Sequence, residues 1–451
     1  METQELSGWG RYPRKQCHVS RPDSRAALQR ALALAGQRPI LARGLGRSYG
    51  DSSLLSTGIV LDQTGRNRIL KFDAEAGLLE CEAGVTLADI IDVFTPRGWF
   101  LPTTPGTKFV TVGGAIAADV HGKNHHVDGS FGEWVPWLRL LLVSGEITEC
   151  SPTRTPELFW ATVGGMGLTG IIESAAVQLV RIETTYCTQE LRRTRDLDET
   201  FSVFLREDST HRHSVAWVDC LATGRSLGRS AVMLANDCKV DDLPKRLRSD
   251  PLRLRRRARF TVRPPPPVSL VGRWSAKAFN SLYYATRRDG KTLVEYDTFF
   301  YPLDRIRGWN LLYGPRGFVQ CQVLFPEDQA RKGLKALLEY VSSRRAASFL
   351  AVLKRSGRAS GGMLSFMAPG YTLAVDIPHP GARLGLMARE IEEVVLRYSG
   401  RVYLAKDSIS SSEAIALMYP KLDRFRRVKR LVDPSSRLRS EQALRLGIVE
   451  S

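Results

Sequence analysis

Three glycine-rich segments follow one another inside the first 170 residues, and they constrain this chain more than any other feature. They are Arg43-Gly-Leu-Gly-Arg-Ser-Tyr-Gly-Asp51, then Pro105-Gly-Thr-Lys-Phe-Val-Thr-Val-Gly-Gly-Ala-Ile-Ala-Ala-Asp-Val-His-Gly122, then Thr162-Val-Gly-Gly-Met-Gly-Leu-Thr-Gly170. Glycine admits positive φ and close approach of a second group. Free N–H groups in such loops receive anions. Any one of these loops reads equally well as a tight turn between strands. Three in series, with Tyr49, Asp51, His121, Lys123 and Asn124 in or beside them, point to one long phosphate-bearing ligand touched at several places. The spacing of Gly44, Gly46 and Gly50 is not that of a dinucleotide fingerprint in a βαβ unit, and no complete G-x-x-x-x-G-K-S/T phosphate loop is present.

The local patterns alternate. Arg38–Ala42 and Leu78–Ala83 read as strands, as do Trp137–Val143 and Ile171–Ile182. Thr86 is placed to cap a helix whose apolar face is Leu87, Ile90, Ile91 and Phe94, and Pro156 opens another. Pro105–Thr111 reads as a loop. Beyond residue 183 the glycine loops stop. Strand-like runs continue at His213–Asp219, Thr292–Tyr301, Phe318–Phe325 and Tyr371–Ile377, with helical patterns at Gln329–Ser342, Ala382–Tyr398 and the basic stretch Ser411–Leu446. The expected class is α+β.

Composition sets the outer bounds. A chain of 451 residues is too long for one ordinary core, so two domains are expected. It holds 43% hydrophobic and 25% charged residues, as globular proteins do, and has no apolar run of about 18 residues able to span a bilayer. The acidic start Met-Glu-Thr-Gln-Glu-Leu lacks the apolar region of a secretory signal, and seven scattered cysteines without C-x-x-C spacing read as reduced thiols. A cytoplasmic location follows as the expectation.

The net charge is +18. Nine cations fall between Lys245 and Arg263 (Lys245, Arg246, Arg248, Arg253, Arg255, Arg256, Arg257, Arg259 and Arg263), with Asp250 the single acid among them, and Pro264–Pro267 follow. A solvated linker is one reading of such a run. No nucleic-acid-reading module accompanies it, so nucleic acid is not expected as a partner. An anionic membrane surface is the preferred partner.

The three glycine segments resemble the flavin-binding domain of the vanillyl-alcohol oxidase, or PCMH, type. The likeness narrows on Ser7-Gly-Trp-Gly-Arg11, Ala42–Asp51, His121-Gly-Lys-Asn-His-His126, Tyr313-Gly-Pro-Arg-Gly-Phe-Val-Gln320, Ala405-Lys-Asp-Ser408 and Met418-Tyr-Pro420. In that order these resemble the decaprenylphosphoryl-β-D-ribose 2-oxidase family, over residues 7 to 448.

The resemblance implies a PCMH-type FAD-binding domain over residues 1–182 and an α/β substrate-binding cap over 183–400, with a mobile basic, proline-rich loop near 243–270. Residues 401–451 would return to the FAD domain. It implies oxidation of the C2 hydroxyl of a polyprenyl-phosphate β-D-ribofuranose to a ketone, with a separate NAD(P)H-dependent keto-sugar reductase completing an epimerisation. The enzyme would sit peripherally at the inner membrane, with the periplasmic side left open. Two alternatives stay beside it: an oxidase of a soluble sugar alcohol or aldonolactone, and a basic lipid- or nucleic-acid-binding protein with a vestigial flavin site.

Oxidising an alcohol on a flavin requires the carbinol hydrogen to face the cofactor, a group to take the hydroxyl proton, and positive charge for an anionic substrate. The candidate catalytic residues are Tyr49, His121 and Lys406. His121 has a usual pKa near 6.5, suited to proton transfer, or is a plain loop histidine. Lys406, in the strand-like Tyr403–Asp407, and Lys354, in Ala351–Lys354, are either pinned in a site or outward-facing. His121, His125 and His126 together lack a completing carboxylate motif, and no metal is expected.

The expected FAD contacts are Arg43, Gly44, Gly46, Arg47, Ser48, Tyr49 and Gly50 in the first loop, and Pro105, Gly106, Thr107, Gly113, Gly114, Ala117, His121, Gly122 and Asn124 in the second. Gly165, Gly167, Gly170, Ile171 and Tyr403 complete them. Gln320 and Gln322 share a sheet face by their spacing of two. The resemblance puts them with Tyr313, Lys354, Thr372 and Lys406 against the substrate. Where many flavoproteins of this fold carry a histidine bonded covalently to FAD, this chain has Arg47, so non-covalent FAD is implied. Ala374 and Thr372 replace a cysteine and an asparagine of close relatives, which implies a slightly reshaped pocket.

Overall fold

The computed structural model describes residues 1–254, 260–344 and 348–450. Three main sheets organise the chain. A four-stranded sheet has the order Glu2–Ser7, Arg14–Ser20, Ile59–Asp62, Ile40–Arg43, and its last three strands are parallel. A five-stranded antiparallel sheet has the order Ile69–Asp73, Leu78–Glu82, Ile171–Gln178, Leu138–Leu141, Ile147–Cys150. The third is antiparallel and eight-stranded: Gly290–Glu295, Tyr186–Thr194, Ser230–Asp237, His213–Val218, Ala351–Ser356, Gly370–Pro378, Phe318–Pro326 and Arg401–Val402.

The eight-stranded sheet positions the site. Helices Leu197–Glu207 and Glu327–Ser343 pack on it. Pairs two residues apart line a cavity: Gln189 and Leu191, Val215 and Trp217, Gln320 and Gln322, Val352 and Lys354, Thr372 and Ala374. The period of two in a strand sends alternate side chains to opposite faces, so this face reads as one polar and aromatic wall.

The chain's last segment returns to its beginning. Ile40 N donates to Arg437 O (2.7 Å) and Arg439 N to Ile40 O (3.1 Å). The Arg445 guanidinium grips both Asp51 (2.9 and 2.8 Å) and Asp407 (2.9 Å). The expected helical stretch there resolves into Ser412–Met418, Leu422–Val432 and Glu441–Arg445.

Thr86 caps helix Leu87–Phe94, its hydroxyl accepting from Asp89 N at 3.0 Å while Asp89 answers Thr86 N. Two expected strands are different. Thr292–Tyr301 is a strand only to Glu295, and Tyr296–Phe300 turns into a helix. Continued extension would send Phe299 and Phe300 to opposite faces. The helical turn lets both pack inward, where Phe300 and Tyr296 meet Phe100 at 5.5 and 4.8 Å. Tyr403–Asp407 is a tight turn, closed by Lys406 N and Asp407 N donating to Tyr403 O at 2.8 and 3.0 Å.

All seven cysteines are free and buried. No helix of the described residues is long and apolar enough to cross a membrane. Of the basic run, Arg255, Arg256, Arg257 and Arg259 lie outside the described residues; Lys245–Arg248 is a single helical turn, and Phe260–Thr261 pairs in parallel with Ile306–Arg307.

Candidate active site

One cavity of about 1680 Å³ lies between the glycine loops and the eight-stranded sheet. That exceeds the roughly 300–1,000 Å³ of a drug-sized ligand pocket, so there is room for a dinucleotide and a substrate together. The first two loops reach it directly, through Arg43, Gly44, Gly46, Arg47, Ser48, Tyr49, Pro105, Gly106, Thr107, Gly114, Ala117 and His121. From the third loop only Met166 does so.

The first loop is held from behind. Arg43 is a brace: it donates to Ser53 O and Oγ (2.7 and 2.8 Å) and to Ser7 O (2.8 Å). Gly44 lies so close to Thr111 that a Cβ there would sit 2.3 Å from Thr111 Oγ1. That hydroxyl also caps the short helix Val112–Ala117 through Gly114 N at 3.2 Å. Arg47 stacks its guanidinium over Trp9 at 4.6 Å. Among the described residues, none of the backbone N–H groups from Leu45 to Ser48 donates to another protein group. A run of free amides beside cationic Arg47 is the chemistry a pyrophosphate requires, and these residues fit FAD.

At the other end, His121 is buried with its Nε2 3.0 Å from Gln322 Nε2, and Gln322 also donates to Thr372 Oγ1 at 3.2 Å. With Gln322 donating, Nε2 accepts and the His121 proton sits on Nδ1, which has no protein partner. Burial, reinforced by Lys354, His125 and Lys406, holds the His121 pKa well below its ordinary value, so the ring is neutral. Tyr403 donates to Ala118 O at 2.7 Å and stacks on Phe366, fixing the strip behind the ring.

Lys406 Nζ sits 3.6 Å above the Tyr49 ring. Burial lowers its pKa to about 7, with Asp376 opposing the shift and Lys354 adding to it. Burial alone takes Lys354 to about 8. Lys123 falls to about 7, again mainly through burial, and its ammonium caps Phe299 O. Asp376 is fully buried; Gln320 donates to its Oδ1, and burial raises it to about 7. Three lysines with lowered pKa values therefore line one cavity, a set whose chemistry suits an anion.

Several expected contacts lie behind the wall instead. Asn124 donates to Pro102 O (2.7 Å) and Asp128 Oδ2 (2.6 Å), bracing its own loop. Gly50 is pressed against Asp407, whose carbonyl oxygen a Cβ would meet at 2.0 Å. Gly113, Gly122, Gly165, Gly167, Gly170 and Ile171 are likewise outside the lining. Each of the first three abuts backbone or side chains of a neighbouring segment, and Ile171 is paired inside the five-stranded sheet. Tyr313 is buried, stacked on Phe318 at 4.1 Å. His125 and His126 are engaged by Ser130 and by His211 O, and no metal-holding cluster exists among the described residues. Lining residues not foreseen include Trp217 and Asp304, while Lys123 and Met166 lie in or beside the glycine segments without having been given a contact; Asp376, which supports Gln320, also went unforeseen. Asp376 was readable only from register, since Gln320 and Asp376 are cross-strand partners.

The fold and loops define an FAD-dependent oxidoreductase acting on a CH–OH group. The FAD binding domain family matches residues 18–151, and the D-arabinono-1,4-lactone oxidase family matches residues 370–446. The chain is 36% identical to decaprenylphosphoryl-β-D-ribose oxidase of Mycolicibacterium smegmatis over 453 aligned residues, covering 99% of this chain and 98% of that one. It is 35% identical to an uncharacterised protein from the mprA 5′ region of Streptomyces coelicolor over 375 residues, 81% of this chain and all of that one. A putative D-arabinono-1,4-lactone oxidase of Neurospora crassa is 31% identical over 162 residues, 35% of this chain and 29% of that one. The chain belongs to the family of PCMH-type FAD-dependent oxidoreductases that includes decaprenylphosphoryl-β-D-ribose oxidase.

Proposed function

We propose that this enzyme oxidises the C2 hydroxyl of a polyprenyl-phosphate β-D-ribofuranose to the ketone, on non-covalently held FAD. The observation that carries this reading is a single cavity combining half-buried Lys123, Lys354 and Lys406 with an apolar arm through Val215, Trp217, Leu270, Phe279 and Phe349. Cations suit a phosphate; the arm suits an isoprenoid.

In this reading, Leu45–Ser48 and Arg47 hold the pyrophosphate, and Gly106, Thr107, Ala117 and His121 flank the rest of the cofactor. Bound there, FAD would supply the acceptor for the hydride of the carbinol carbon. Lys354 and Lys123 hold the phosphate. Lys406 takes the hydroxyl proton: with a pKa of about 7 it is partly a free amine at neutral pH. His121 has its Nε2 engaged by Gln322 and stays neutral, so it orients rather than accepts. Tyr49 carries Lys406 on its ring face.

The product ketone requires a reductase, NAD(P)H-dependent by the chemistry of the step, to restore a hydroxyl of inverted configuration. The substrate places the enzyme peripherally at the inner membrane.

Anaerobic mixing of the purified flavoprotein with lipid-linked ribose, read at the flavin absorbance, tests this. Bleaching by lipid-linked ribose but not by free alditols or lactones is expected. Bleaching by lactones alone refutes the lipid-sugar assignment in favour of an aldonolactone oxidase, the reading favoured by the match over residues 370–446. Full turnover in Lys406→Ala refutes its proton role.

A further inference from the structure

Helix Arg273–Thr286 is one wall of the cavity and also an outer face of the molecule. Ala276, Phe279 and Tyr283 line the cavity, as do Leu270 and Val271 just before the helix. Asn280 is buried and fastens the helix by donating to Asp219 Oδ1 (3.0 Å) and Ser348 O (3.1 Å). On another side, Trp274, Ala278, Leu282 and Ala285 recur at helical spacing and are all exposed. Trp274 is 74% and Leu282 66% exposed. Of the sixteen large apolar residues exposed among the described ones, six fall within residues 260–282: Phe260, Val268, Leu270, Trp274, Phe279 and Leu282. Such concentration marks an interaction site.

The charge around this stripe has one sign. From Phe260 to Arg288 the sequence contains Arg263, Arg273, Lys277, Arg287 and Arg288 and no Asp or Glu. A second copy of this chain would bring like charges together at such a face. An anionic lipid surface is complementary to both the cations and the apolar stripe, the pattern of an interfacial helix. We infer that helix Arg273–Thr286 and the segment before it dock on an anionic bilayer and open the cavity's apolar arm to it. A polyprenyl chain then passes from lipid to cavity along Phe279 and Leu270 without crossing water. This function for the helix rests on the lipid-substrate reading; the docking itself does not.

Flotation of the FAD-loaded enzyme with vesicles of phosphatidylcholine, alone or mixed with phosphatidylglycerol, tests it. The wild type is expected to float with the mixed vesicles and far less with phosphatidylcholine alone. Trp274→Ser with Leu282→Ser is expected to bind about tenfold more weakly or worse, with an unchanged flavin spectrum and melting temperature. Neither residue lines the cavity. If that variant does not fold, Lys277→Glu with Arg288→Glu is read instead, and loss of the preference for anionic vesicles is expected. Undiminished vesicle binding by the variants overturns the inference. So does concentration-dependent self-association of the wild type in sedimentation velocity that the serine variant abolishes. Flotation involves no sugar, and flavin bleaching in detergent involves no bilayer, so each reading can fail without the other.

Discussion

Replacing Arg445 by methionine strikes the joint on which the cofactor loop rests. The guanidinium makes two bonds to Asp51 (2.9 and 2.8 Å), one to Asp407 (2.9 Å) and one to Ser410 O (2.6 Å). Asp51 closes the first glycine loop, and Asp407 follows Lys406 and presses on Gly50. Removing one partner of a buried charge pair costs about 3–5 kcal/mol. Arg445 keeps 27% of its side chain exposed, so the lower end, about 3 kcal/mol, applies. Unfolding entropy is roughly 2.1 cal/mol/K per residue. If the flavin-binding half melts as one unit of about 230 residues, the melting temperature falls by ~6 °C; if the whole chain does, by ~3 °C.

The loss has a pH signature. The Asp407 pKa lies below its ordinary value, chiefly through Arg445 overcoming burial. A depressed carboxylate stabilises the fold above its unfolded pKa and loses that contribution as pH falls through the folded one. Arg445→Met therefore flattens the acid limb of the stability curve. Differential scanning fluorimetry across acidic pH, with FAD release followed by fluorescence, measures both effects. A melting temperature within a degree of wild type together with unchanged FAD affinity refutes the reasoning.

The other predictions concern the site. Gly44→Ala drives Thr111 Oγ1 off Gly114 N and loses a cap worth about 1 kcal/mol; titration of apoprotein with FAD is expected to show weaker binding at little cost to the fold. Gln322→Leu removes the donor to His121 Nε2, and stopped-flow flavin reduction is expected to slow by about 10–100-fold with FAD content unchanged. Lys123, Lys354 and Lys406 have folded pKa values of about 7, 8 and 7, below their unfolded values. Their burial therefore destabilises the ligand-free fold at low pH, and stability rises with pH from about 7 towards 10. Binding of a phosphate-bearing substrate is expected to take up protons and to weaken as pH rises above about 8, as calorimetry in buffers of different ionisation enthalpy would show.

Local chemistry made much of this protein legible. Thr86 and the spacing of Leu87, Ile90, Ile91 and Phe94 announce their helix within nine residues, and the structure adds Asp89 to complete a capping box. The pairing of Gln320 with Gln322 on one face followed from strand period alone. What escaped depends on partners distant in sequence. Tyr403–Asp407 looked like a strand, yet its turn is closed by its own amides and docked by Tyr49 N on Ala405 O. Tyr296–Phe300 has strand-forming residues, and packing against Phe100 overrides them. Glycine counts flagged the right loops without separating those that face the cavity from those, such as Gly50 and Gly122, that admit a neighbouring segment.

The return of residues 437–445 to the first loop also sets an order of events during synthesis. A nascent chain with only its first 400 residues released already carries every glycine loop. It lacks the arginine that ties Asp51 down and the Leu438 bridge beside Ile40. Cofactor capture would thus wait until residue 445 has emerged, and a product cut short before it would be colourless rather than half-active.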